Sequence, residues 1–170
     1  MKPIALTVAT LLCCIGTARA DDTPSPQRPA ICHTIDALID AHAKGFDALR
    51  GKRTGTRYGD IWRAKENVIG HDCEIWGSGK RDFHYVCTRS APSADVADDY
   101  LNDAREQLHT CLAQDWKETE ATRDEGAGRI ARFSAADGAL NIEIHKVKVR
   151  GLMKDQWTVY YIVGDPFVPQ

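Results

Sequence analysis

The chain has 170 residues, 43% of them hydrophobic and 27% charged, with a formal net charge of −2. That near-neutral balance excludes a protein that recruits nucleic acid through overall basicity, and the length suits one domain with core enough to fold unaided. Six cysteines make the redox compartment the first question.

The N-terminus answers it. Lys2 precedes the apolar run "IALTVATLLCCIG" and then "ARA", the layout of a secretory signal peptide over residues 1–20, cleaved after Ala20. The run is shorter than the roughly 20 apolar residues a membrane-spanning helix needs, and no later segment approaches that length, so no membrane span is expected. Leu12 stands before Cys13 where a lipoprotein signal requires a small residue, which argues against a lipid anchor. The expected product is secreted or periplasmic. It begins with a polar, proline-rich, disordered arm at residues 21–30, followed by a single domain at 31–170.

Between Cys32 and Arg50, Ile35, Leu38, Ile39, Phe46 and Leu49 recur at helical spacing, with Gly51 placed to end the helix. An extended segment from Trp62 to Trp76 and a partner from Asp82 to Arg89 then flank the turn "GSGKR". A hairpin centred there pairs Cys73 with Cys87, Ile75 with Tyr85 and Gly77 with Phe83. Alternation puts His71 on the cysteine face and His84 on the other. Tetrahedral zinc needs its ligands to converge on one point, so this register favours a Cys73–Cys87 disulfide, worth about 3 kcal/mol for a loop of about 15 residues. No metal and no cofactor is expected.

Ser93 is placed to cap a second helix running to about Gln114, with Val96, Tyr100, Leu101, Ala104, Leu108, Cys111 and Leu112 on its apolar stripe. By elimination Cys32 pairs with Cys111, which antiparallel helices would bring together. In the last third, Asp137-Gly138 marks a two-residue hairpin loop that pairs Phe133 with Ile142 and Arg132 with Glu143. The apolar phase changes after Ile144, which predicts a bulge at His145 or Lys146. "QWTVYYIVG" is apolar on both parities and reads as a central strand. The sum is an α+β domain, two helices packed on an antiparallel sheet of about five strands in the order α-β-β-α-β-β-β, with two disulfides and a faint helix-plus-hairpin repeat.

Catalytic signatures are missing. "WGSGK" lacks the upstream glycine and the helix of a phosphate loop, and the histidines show no ligand or base spacing. With all four exported cysteines paired, none can act as a thiolate. What remains is a basic, aromatic loop surface: Arg53, Arg57, Tyr58 and Trp62, with Trp76, Lys80 and Arg81 from the hairpin. Arg, Tyr and Trp dominate protein interfaces. The sequence therefore implies a non-catalytic binding protein whose partner is another protein with an acidic surface, an inhibitor or immunity protein being one concrete form. The alternatives are a binder of a small or polymeric envelope ligand, near Trp62, Trp76 and Tyr85, and a hydrolase with an unrecognised site.

Overall fold

A computed structural model describes residues 28–55, 59–77, 82–123, 128–150 and 156–165. The leader and most of the proline-rich arm lie outside the described residues. Arg28, at the end of that arm, ion-pairs with Asp36 and donates to the Cys111 carbonyl.

The first helix, α1 (Ala30–His42), buries Cys32, Ile35 and Leu38 along one stripe. It ends eight residues before Arg50, the expected boundary, because the chain turns through Gly45 and Phe46, both at positive φ. That turn drops Phe46 fully into the core. Phe46 and Leu49 thus keep helical spacing in sequence while the backbone has left the helix. A single 3-10 turn at Asp47–Leu49 leads into β1 (Arg50–Arg53), so Gly51 lies in a strand and not at a helix end.

Three strands follow, β2 (Asp60–Ala64), β3 (Asp72–Gly77) and β4 (Phe83–Ala91). The second helix, α2 (Ala94–Cys111), starts as expected, with Ser93 Oγ accepting the Val96 amide at 3.3 Å. Four more strands complete the fold, namely β5 (Lys117–Thr122), β6 (Gly128–Ser134), β7 (Asn141–Val149) and β8 (Gln156–Gly164). The eight strands form one antiparallel sheet in the order β1-β2-β3-β4-β8-β7-β6-β5. Two helices and an antiparallel sheet are as expected; the strand number of about five is not.

Two of the three extra strands share a physical origin. β1 ("RGKR") and β5 ("KETEAT") are edge strands, half solvated and guarded by charge, so neither shows the apolar alternation that marks a strand. The single extended segment expected from Trp62 to Trp76 is two strands, β2 and β3, separated at residues 65–71. The repeat is accordingly larger than a helix and a hairpin. Each helix is followed by four strands, and the two sets join through their last members, β4 and β8. β8 is central, as its doubly apolar sequence implies.

Register agrees with the hairpin reading: Cys73 faces Cys87, Ile75 faces Tyr85 and Gly77 faces Phe83. Phe133 faces Ile142 and Arg132 faces Glu143, with the turn tip widened to residues 136–139 and closed by the Ala135 amide donating to Leu140. The expected bulge at His145 or Lys146 does not occur, since β7 pairs without interruption from Asn141 to Val149. The apparent slip has another cause. Lys146 replaces an apolar residue on the helix side, where it binds Asp98 of α2 at 2.5 Å and lies over the Trp157 ring. Both disulfides form, Cys32–Cys111 between the helices and Cys73–Cys87 between β3 and β4.

Both helices pack on the same face of the sheet. Ile35, Leu38, Leu101 and Leu108 meet Ile75, Tyr85, Ile142, Ile144, Tyr161 and Val163, all at most 1% exposed. Around this core α2 is tied down by ion pairs from Arg105 to Glu118 and Glu120 of β5, both at 2.7 Å. Those glutamates face the helix, which is why an acidic stretch can be a strand.

Candidate functional site

Alternation along each strand leaves one face of the sheet to which neither helix contributes. On it stand Trp76 of β3, His84 and Val86 of β4, Tyr160 and Ile162 of β8, Glu143, His145 and Val147 of β7, and Ile130 and Arg132 of β6. Cross-strand partners fix the neighbours: Trp76 faces His84, Val86 faces Ile162, Tyr160 faces His145, and Glu143 lies between Ile162 and Arg132.

At the centre of this face sits a buried charge cluster. Glu143 is 2% exposed and His145 4%. The Arg132 Nε donates to Glu143 Oε1 at 2.7 Å, and His145 Nε2 lies 2.6 Å from Glu143 Oε2. Burial alone would push the Glu143 carboxyl up. The hydrogen bonds from His145 and Arg132, reinforced by their charges, outweigh it and hold the carboxyl below its ordinary value. Glu143 is therefore a carboxylate with both oxygens engaged. A buried charge is tolerated only when paired in this way.

The sequence places Arg132 opposite Glu143 as a cross-strand pair but does not reveal His145 as the third member of the cluster. One signal was available. A strand next to a doubly apolar central strand has both faces crowded, so polar residues at alternate positions in "NIEIHKV" must find partners within the sheet.

The residues singled out from sequence are dispersed. Arg53 ion-pairs with Asp60 at the β1–β2 edge. Trp62 lies on the helix side, where its ring and that of Phe83 both cover the Arg50 guanidinium, each ring centroid 4.3 Å away. Trp76 lies on the opposite face, its indole N–H donating to Glu74 at 2.9 Å. Trp62 and Trp76 therefore cannot line one pocket, and Tyr85 belongs to the core. Arg57, Tyr58, Lys80 and Arg81 lie outside the described residues.

A cleft of about 630 Å³ opens at the end of α1, lined by His42, Lys44, Asp47, Arg50, Phe83 and Asp165 among others. Here His42 Nε2 and Asp165 Oδ1 are 3.8 Å apart, beyond hydrogen-bonding distance, and among the described lining residues there is no Ser, Thr or Cys. Arg50 is held by the Gly45 carbonyl at 2.7 Å and by Asp47 at 2.8 Å. The His145–Glu143 pair has the right chemistry for a base, but both groups are sealed from a substrate.

Among the described residues no three His, Cys, Asp or Glu side chains converge as a metal site, and no helix is long and apolar enough to cross a membrane. No protein-family model, no curated protein and no solved structure matches this chain, so its function rests on its own geometry.

Proposed function

We propose that the chain is an exported, non-catalytic binding protein that captures another protein on the helix-free face of its sheet, an inhibitor or immunity protein being one concrete form. Export is supported by the leader layout and by the two disulfides, which persist in oxidising compartments.

The observation that carries the reading is the helix-free face itself. The face spans all eight strands, but its centre, His84, Val86, Ile162, Glu143 and His145, is at most 8% exposed, so what a partner can reach is the ring of residues around it. Half-buried Trp76, Tyr160, Ile130 and Val147 surround the buried cluster on that face. Aromatic and apolar anchors about a desolvated centre are the anatomy of an interface. A small ligand would need a concave, mostly apolar pocket instead, and Trp62, Trp76 and Tyr85 do not form one.

The test is affinity capture from envelope extract followed by binding measurements on the recovered partner. Trp76→Ala and Tyr160→Ala should each weaken binding about tenfold, as expected for interface anchors. Asp99→Ala on the outer side of α2 should leave it unchanged. Full binding by both aromatic variants rejects this surface.

A further inference from the structure

The two faces of the β5–β8 half differ in charge. Toward the helices, Glu118 and Glu120 pair with Arg105, and Asp98 pairs with Lys146 and Arg129. On the helix-free face, alternation places Lys117 and Arg132 among neutral Thr119, Ala121, Ile130, Ser134, Thr158 and Tyr160. Glu143 is the one acidic side chain at those positions, and it is buried and bonded on both oxygens.

Arg132 differs from the other arginines of this half. Arg105 and Arg129 each span two carboxylates. Arg132 uses only Nε, and among the described residues its two Nη groups have no hydrogen-bond partner. Its side chain is 41% exposed while its Glu143 anchor is 2% exposed. The guanidinium is thus oriented from below by a rigid strand and offers its remaining donors outward. A planar fork fixed in advance loses little entropy on binding and matches a carboxylate in two-point geometry.

We propose that Arg132 seats a carboxylate of the captured protein, an Asp or Glu side chain on an acidic surface patch, with Lys117 supplying further positive charge beside it. This rests on the reading of the helix-free face as the docking surface, and it names the chemistry of the partner's anchor. Charge complementarity selects the occupant, because among the described residues the accessible charges on this half of the face are positive and its one carboxylate is already paired. Arg53 at the β1 edge is excluded as the equivalent anchor because Asp60 occupies it.

A fluorescent poly-L-glutamate peptide is the probe, titrated by anisotropy into the full exported chain. Arg132→Gln keeps a side-chain amide for Glu143 but removes the charged fork, and should weaken binding about tenfold; Arg132→Lys should restore only part of it. Arg53→Gln should stay within about twofold of the parent. Should Arg132→Gln not fold, the side-chain Nε–Hε resonance of Arg132 in the unaltered protein provides the second readout, and it should shift on adding the peptide. An unmoved resonance, equal binding by Arg132→Gln, or dependence on Arg53 instead overturns the inference. Arg132-dependent binding of polyphosphate tighter than that of poly-L-glutamate also overturns it, in favour of a phosphate polymer. A captured partner whose affinity depends on Trp76 and Tyr160 but not on Arg132 overturns this inference alone and leaves the docking surface standing.

Discussion

Replacing Cys32 and Cys111 together by alanine should lower the unfolding free energy by about 4 kcal/mol, read from guanidinium denaturation of the oxidised parent and the variant. The bond closes a loop across a sequence separation of 79, against 14 for Cys73–Cys87, so it removes more entropy from the unfolded chain. The same chain-entropy argument gives about 3 kcal/mol for the shorter bridge. Placement strengthens the ranking. Cys32–Cys111 joins the first turn of α1 to the last of α2, while β3 and β4 are already paired along their length. Since a domain is stable by only about 5–15 kcal/mol, the variant should unfold at markedly lower denaturant. A loss below about 1 kcal/mol would show that Ile35 and Leu38 alone hold α1 in place.

Glu143→Gln should cost about 3 kcal/mol at neutral pH, the low end for breaking a buried ion pair because Arg132 can still reach water. Its pH dependence identifies the cause. The folded carboxyl lies below its ordinary value, so its contribution is complete above the unfolded carboxyl value of about 4.3 and is lost as pH falls through the folded value. The stability gap between parent and Glu143→Gln should therefore narrow in strong acid, measured by urea unfolding across that range. A gap that stays constant would mean that the substitution acts through packing and not through the charge.

Much of the scaffold was legible in the sequence because short-range chemistry decides it. Cysteine parity in an exported chain, the Ser93 cap and the Asp137-Gly138 turn each act over a few residues, and the structure has both bridges, the cap and the Phe133–Ile142 register. Where long-range context decides, the sequence misled. Phe46 keeps a helical interval across a backbone reversal, and "KETEAT" looks like a solvated loop until Arg105 and His109 of α2 are seen to receive its glutamates. Loop residues rich in Arg and Tyr stood out by composition, whereas Glu143 and His145 became notable only once β7 was placed beside the central strand, where polar groups must be paired.

The most direct measurement of the central claim, that a partner covers the face opposite the helices, is site-specific photo-cross-linking in the producing cell. A photoreactive residue at Val147 or Thr158 on the helix-free face should yield one discrete protein adduct, and the same residue at Asp99 on α2 should yield none. An adduct from Asp99 with none from Val147 or Thr158 would contradict the account and move the binding surface to the helices.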